Sequence, residues 1–260
     1  MSNQVEFEIE GDVAVIRLQR PEALNALNQQ MWGALGKAVR RLQDETELRC
    51  AILTGSGRAF CVGADLKETP WQGATESDNR QRIERNQQQL CRDMIAAPVP
   101  IIVAINGYAV GGGLELTLAA DIRIAGEGSE FWLPETAIGR FLTSGASILL
   151  PRLVGLGQAK RLIYTGERID AEQALRIGLV DEVVPIADLA LRAKNMAQQI
   201  AANSPVSVGL AKSVLNRVNL PELENALALE TDALIATYDS GYVDAGVRAF
   251  ADRGAKGGPR

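Results

Sequence analysis

The sequence predicts a mixed α/β (α+β) fold, with repeated ββα units over its first two-thirds and a helical last quarter. Three observations predict it. Short apolar, largely β-branched runs recur at Val13–Leu18, Leu48–Thr54, Ile101–Ile105 and Ile122–Ala125, as buried strands do. Glycine-rich breaks follow several of these runs and lead into segments with helical spacing. From Ile186 onward the periodicity is helical to the end of the chain. The division expected is a core over residues 1–195 and a helical module over residues 196–260, serving as a lid or an oligomerisation surface.

Taken in order, Val5–Glu10 alternates apolar and polar residues, turns at Gly11-Asp12 and resumes as Val13–Leu18, a hairpin signal. Met31, Leu35, Val39 and Leu42 share one face of a helix expected over Gln29–Gln43. Leu48–Thr54 is the next strand. It is followed by a loop of small residues in which Asp65 is read either as an ordinary turn and helix cap or as part of a binding loop. Lys67–Gln89, polar and rich in glutamine, is expected to be loosely packed, partly helical and able to sit over a ligand. Ile101–Ile105 is a strand, and Leu114–Ala120 suits a helix. A helix over Ala146–Leu153 is expected to break at Pro151. Leu156–Tyr164 continues as helix, Asp170 caps another, and Gly178–Pro185 is the last strand. Helices follow over Ala187–Ala202, Val206–Val218, Pro221–Tyr238 and Val243–Phe250, and the tail Ala251–Arg260 is expected to fray.

Composition narrows the chemistry. The chain of 260 residues contains no histidine. That excludes Ser-His-Asp and Cys-His catalysis, imidazole bases and His-built zinc sites, leaving proton transfer to carboxylates, Lys, Tyr, Cys or water. A net charge of -5 gives no nucleic-acid groove and no attraction to an anionic membrane. Cys50, Cys61 and Cys91 are widely spaced, match no metal or redox pattern, and read as reduced and structural in a cytoplasmic chain. No metal is expected. The polar, acidic start resembles no signal sequence, and the apolar stretch Met94–Ile105 is too short to span a bilayer.

The stretch Pro98–Glu135 carries the chemistry. A strand that runs through Gly111-Gly112-Gly113 into a helix leaves backbone N–H groups unpaired at the helix start, where negative charge is favoured and a ligand can approach the backbone. Glu115 falls in that first turn, where it either stabilises the helix start or takes part in chemistry. Glu135 lies in an apolar setting after Phe131-Trp132-Leu133-Pro134, where an unpaired carboxylate is costly and its pKa rises. Together the two make a candidate acid/base pair beside an anion-binding backbone. The glycines lack the third glycine of GxGxxG, and no GK[ST] follows, which disfavours nucleotide binding.

Four segments in the right order, Arg20-Pro21-Glu22-Ala23-Leu24-Asn25-Ala26-Leu27, Phe60–Leu66, Gly107–Asp121 and Leu179-Val180-Asp181 with Pro185, resemble motifs of the crotonase (enoyl-CoA hydratase/isomerase) superfamily. The likeness covers nearly the whole chain. It implies a spiral of ββα units with a C-terminal helical module, assembled as a homotrimer or a dimer of trimers. It implies that the amides of Ala64 and Gly112 form an oxyanion hole for a thioester carbonyl, and that Glu115 and Glu135 hold a water for addition to an enoyl-CoA. Ala23, Ala64, Asp65, Leu66, Lys67 and Gly111 would lie along coenzyme A or the substrate, with Trp132 and Phe141 bordering the acyl pocket. The substrate carries the coenzyme A, so no separate cofactor is implied. Isomerisation or dehydration by the same superfamily, and non-catalytic binding of a CoA ester, are the alternatives. The chain departs from the pattern at Leu142, Thr143 and Ala146, where proline and glycines are usual, and at Trp132, where a small residue is common. These positions border the acyl pocket, so a straight-chain substrate is not assigned. Arg253 and Lys256 loosely echo the family's basic C-terminal segment.

Overall fold

The computed structural model describes residues 4–68 and 75–239, and beyond them residues 242, 243, 246, 247 and 249. Part of the Lys67–Gln89 stretch, half of the helix expected over Val243–Phe250, and the tail with Arg253 and Lys256 lie outside the described residues.

Strands β1 (Val5–Glu10) and β2 (Val13–Leu18) form the antiparallel hairpin expected. Helix α1 (Gln29–Asp44) follows, its first turn capped by Asn28, whose side chain accepts from the Met31 amide. The chain then makes the same move three times, each time laying a long strand in one sheet and a short strand in another before a helix. Strand β3 (Cys50–Gly55) leads to β4 (Ala59–Cys61) and then to α2 (Glu76–Arg82) and α3 (Gln89–Ala96), which are joined by a wider π-type segment, Ile83–Gln88. Strand β5 (Ile101–Ile105) leads to β6 (Tyr108–Val110) and α4 (Gly112–Leu118). Strand β7 (Ile122–Gly126) leads to β8 (Glu130–Trp132) and α5 (Ala146–Val154). After α6 (Leu156–Thr165), β9 (Ile169–Asp170), α7 (Ala171–Arg176) and β10 (Glu182–Val184), the chain ends in α8 (Leu189–Ala201), α9 (Pro205–Asn219) and α10 (Leu223–Asp239).

The large sheet has the order β1-β2-β3-β5-β7-β10, parallel from β2 onward. Its inner strands β3 and β5 are buried on both faces, as sheets covered on both sides require, whereas the edge strand β1 alternates and exposes Glu8 and Glu10. In β5 the alternation sorts Ile101, Val103 and Ile105 into the main core, while Ile102 and Ala104 meet Ala193 and Ala197 of α8 on the other face. The boundary read at residue 195 falls within α8. The small sheet has the order β4-β6-β8-β9, with β4, β6 and β8 parallel, so their C-terminal ends share one edge.

Two local expectations are corrected. Helix α5 runs unbroken through Pro151 to Val154. The missing Pro151 N–H costs one bond to the Ser147 carbonyl, and buried Ile148, Leu149, Leu150 and Val154 hold the helix regardless. No helix begins at Asp65, because its carboxylate pairs with Arg20 at 2.6 Å and accepts from the Lys67 amide at 3.0 Å, closing a turn. From Thr75 to Gln89 the polar stretch is helical; α2 buries no side chain, in keeping with the loose packing expected, whereas Ile83 and Gln88 beyond it are buried. Gln88 donates to the Leu227 carbonyl and the Thr231 hydroxyl, tying this stretch to α10.

Candidate active site

The three parallel short strands deliver three loops to one edge: Val62–Ala64 after β4, Gly111–Gly112 after β6, and Pro134–Glu135 after β8. Ligands of parallel sheets gather at the C-terminal ends of strands for this reason. The loops line one cleft with Glu115, Trp32, Gln87, Ile138, Arg140, Phe141 and Thr143.

The first loop is fixed from below. Buried Asn25 donates to the carbonyls of Ser56, Ala59 and Phe60 and accepts from the Arg20 amide. Leu27 takes the Gly63 carbonyl at 2.7 Å and the Asp65 amide at 3.1 Å. In an extended backbone successive amides point to opposite sides, so the N–H of Ala64 faces away from Leu27. The facing loop begins at Gly111, whose φ of 51° favours glycine. A Cβ there would also collide with the Glu135 carboxylate. Gly112 opens α4, so its N–H has no acceptor within the helix. The loops touch: a Cβ on Gly63 would stand 2.7 Å from the Val110 carbonyl and 3.1 Å from the Gly112 nitrogen. Two amides on facing loops can serve one oxygen.

Glu115 is buried in the first turn of α4. The Thr143 amide donates to its Oε1 at 2.9 Å and the Thr143 hydroxyl to its Oε2 at 3.2 Å. Burial raises its pKa above the ordinary carboxylate range, while hydrogen bonds from Thr143 and Ser144 work in the other direction. Glu135 has less support: its own backbone amide favours the charged form, but its Oε2 is buried without a partner among the described residues. Burial first, and then the charge of Glu115, pushes its pKa up to about 8, with Arg140 opposing. The two carboxyls titrate as a pair.

Of the residues singled out from sequence, the fold brings Ala64, Leu66, Gly111, Gly112, Glu115, Glu135 and Phe141 into the cleft. Ala23, Asp65, Lys67 and Trp132 do not line it. Ala23 lies on a short 3-10 turn, and Asp65 serves Arg20. Arg20 holds the Asp65 carboxyl below the ordinary range although partial burial works against it. Trp132 stacks on the Arg168 guanidinium at 4.2 Å and meets Tyr108 edge-on at 6.0 Å, while its carbonyl accepts from the Gly111 amide. It supports the glycine loop instead of bordering the cleft.

Sequence reasoning missed Thr143 as the holder of Glu115, the cation Arg140 in the cleft wall, and Glu230. Glu230 is fully buried on α10 and accepts from the Gly145 and Ser147 amides, each at 2.8 Å. It thereby caps α5 from 85 residues away and fixes the loop that carries Thr143. Burial, and then the charge of Glu115, pushes its pKa up to about 7. Its signal in the sequence was one glutamate beside Thr231 and Asp232 in Leu227–Leu234, a pattern that also fits an exposed position. The three cysteines are buried and free, and burial raises each thiol pKa. Among the described residues no group of side chains could hold a metal ion, and no helix is long and apolar enough to cross a membrane.

Comparison with known proteins places this cleft in context. A family model described as enoyl-CoA hydratase/isomerase matches residues 8–257. The chain is 38% identical to a short-chain-enoyl-CoA hydratase of Clostridium acetobutylicum, over 89% of this chain and 88% of that protein. It is 34% identical to a crotonyl-CoA hydratase of Syntrophomonas wolfei, over 95% of this chain and 94% of that one. A crystal structure of an enoyl-CoA hydratase/isomerase from Mycobacterium paratuberculosis superposes with a TM-score of 0.88 at 27% identity, covering 96% of this chain and 99% of that one.

Proposed function

Because the chain belongs to the enoyl-CoA hydratase/isomerase family, we propose that it adds water across the 2,3 double bond of an enoyl-CoA thioester. One observation carries the reading: Glu115 and Glu135 line the same cleft as the facing loops of Ala64 and Gly112. In this reading the thioester oxygen accepts from the Ala64 and Gly112 amides, which stabilise the charge that grows there as C2 becomes enolate-like. Glu115 takes a proton from water while the water oxygen bonds to C3. The electron pair of the double bond moves towards C2, and Glu135 delivers its proton there from the same side. The next water carries the proton from Glu115 back to Glu135, so atoms and charge balance.

The surroundings support this division of labour. Thr143 gives Glu115 two donors, which favour its ionised, proton-accepting form, whereas Glu135 has burial and a neighbouring negative charge to keep its proton near neutral pH. Isomerisation can run with one carboxylate, so the pair favours hydration. Dehydration is the same path reversed. Ala23, Asp65, Leu66 and Lys67, beside the Ala64 loop, would meet the coenzyme A arm.

Assembly as a homotrimer or dimer of trimers fits α9, where Val206, Leu210, Val214 and Val218 recur every four residues and all are more than half exposed. In this reading residues 196–260 form the assembly module, and the chain works in the cytoplasm. The test is turnover: loss of enoyl absorbance with crotonyl-CoA and branched and aromatic enoyl-CoAs, for wild type and Glu135→Gln. Hydration that the substitution cuts by about 100-fold or more supports the reading. Binding without turnover across the panel, or full activity in the variant, overturns it.

A further inference from the structure

Among the described residues that line the cleft, Arg140 is the one cation. It lies beside Ile138 and Phe141, half-buried, on the turn that begins at Glu135. Its backbone amide donates to the Glu135 carbonyl at 2.7 Å, which closes this turn. Its guanidinium forms no ion pair with a described carboxylate; it lies 5.7 Å from the ring centre of Tyr238 on α10. Glu135, the nearest acid by sequence, feels the charge of Arg140, but makes no hydrogen bond or ion pair with it and keeps its Oε2 without any donor. A half-buried guanidinium with no carboxylate in contact, in a cleft where Trp32, Val62, Leu66, Val110, Pro134 and Phe141 surround the two glutamates, gives up hydration for only a longer-range attraction to Glu135.

The position of Arg140 says which part of a substrate would meet it. The Ala64 loop is braced by Leu27, and a Cβ on Gly112 would face Ala64 and Trp32, so the amides that would hold a thioester oxygen lie on that wall. Arg140 and Phe141 lie on the wall made with α10 and the π-type segment, where Phe141 and Tyr238 pack against the cluster of Ile83, Leu234 and Ile235. Glu115 and Glu135 reach the cleft along with both walls. A thioester seated at the first wall would therefore turn its acyl end towards the second.

We propose that Arg140 is a specificity-determining residue that selects acyl-CoA thioesters carrying a carboxylate at the far end of the acyl chain. The planar fork of arginine matches a carboxylate with two parallel hydrogen bonds, and the stem of Phe141 beside it shields that pair from water. The inference rests on the enoyl-CoA reading for its substrate backbone, and its test separates the two.

Binding is measured by calorimetry with glutaryl-CoA, which has no double bond to hydrate, and with its methyl ester. Wild type is expected to bind the acid about tenfold or more tightly than the ester, and Arg140→Leu to erase that ratio. Arg140→Lys should retain part of it as a point charge. Turnover of glutaconyl-CoA against crotonyl-CoA then reads kcat/KM, with the preference expected mainly in KM. If wild type binds ester and acid equally, the proposal fails even where crotonyl-CoA is hydrated at full rate. If Arg140→Leu lowers kcat for both substrates alike and leaves the binding ratio intact, Arg140 acts on Glu135 and the proposal fails. If the binding ratio behaves as expected but no enoyl-CoA is hydrated, Arg140 is upheld and the hydratase reading falls.

Discussion

Glu115 begins a helix with both carboxylate oxygens engaged by Thr143, whereas Glu135, on the turn after β8, keeps Oε2 buried with no donor. Both are buried acids of one cleft, and burial raises the pKa of each. The difference lies in what opposes that rise. Hydrogen bonds to an ionised carboxylate favour the charged form, and Glu115 has them. Glu135 has on that side its own backbone amide and the more distant Arg140, and the charge of Glu115 against it. A water-adding site needs one group that accepts a proton and one that gives it, and two copies of the same side chain become distinct only through such neighbours.

The largest expected effect comes from removing either carboxylate. Glu115→Gln and Glu135→Gln should each lower kcat by about 100- to 10,000-fold on a good enoyl-CoA, the usual range for a positioned acid or base. The comparison sharpens in the pH profile. Rate should fall on the alkaline side as Glu135 loses its proton near pH 8, and on the acid side as Glu115 gains one. Residual activity in Glu135→Gln should therefore lack the alkaline limb, and in Glu115→Gln the acid limb. Identical profiles in the two variants would mean that the two acids are interchangeable.

A smaller loss is expected at Gly111. Its φ of 51° and the Glu135 carboxylate against its α-carbon leave no room for a methyl group. Gly111→Ala should lower kcat by about tenfold or more by moving Glu135, and should destabilise the fold by roughly 1–3 kcal/mol, the usual cost of a strained backbone position. Urea unfolding beside steady-state kinetics measures both. Unchanged activity would show that the glycine serves only packing.

Thr143→Val breaks the asymmetry more gently, since the amide contact to Glu115 survives and only the hydroxyl is lost. A few-fold fall in kcat is expected, about what one neutral hydrogen bond contributes. Its direction in pH is the sharper test. Removing a donor to the ionised form raises the Glu115 pKa, so the acid limb should move to higher pH, while the alkaline limb of Glu135 stays in place. A shift of the acid limb to lower pH would refute the role given to Thr143.

How much of this was legible in the residues depends on how local the cause is. The hairpin Val5–Leu18, strand Ile101–Ile105 and the Asp170 cap follow from alternation, β-branching and a capping side chain within a few positions. The cleft's candidates were read from the glycine run Gly111-Gly112-Gly113, the glutamates at 115 and 135 and the motif around Ala64, all of which lie within a few residues of the loops that line it. Short strands such as β6 and β8 were not legible, because three residues carry no period. Trp132 was misplaced for a related reason: a three-residue strand does not announce which face a side chain takes. Asp65 looked like a cap because its partner Arg20 lies 45 residues earlier. Pro151 looked like a helix end because sequence shows the lost N–H and not the packing around it. Thr143 and Glu230 act across 28 and 85 residues, through contacts that only the folded chain defines.

Glu230 allows the mildest break, and its sign can be worked out. Both Glu230 and Glu135 have folded pKa values, about 7 and about 8, above the ordinary carboxylate value near 4.5 of an unfolded chain. Between those limits the unfolded chain has released its protons while the folded chain still holds them, so stability is full at low pH and falls as pH rises. Glu230→Gln mimics the protonated, uncharged form and should remove the part of this loss that ends near pH 7. Glu135→Gln should remove the part that continues to about pH 8. Thermal unfolding of both variants beside wild type, from pH 5 to 9, measures the two slopes, with differences of a few degrees expected for a chain of this size. Glu230→Gln should also slow turnover slightly, because the amide group that replaces one oxygen cannot accept from both Gly145 and Ser147, and the loop holding Thr143 against Glu115 loosens. If wild type instead grows more stable from pH 5 to 8, these two carboxylates are favoured by the fold as charges, and the proton given to Glu135 near neutral pH is wrong.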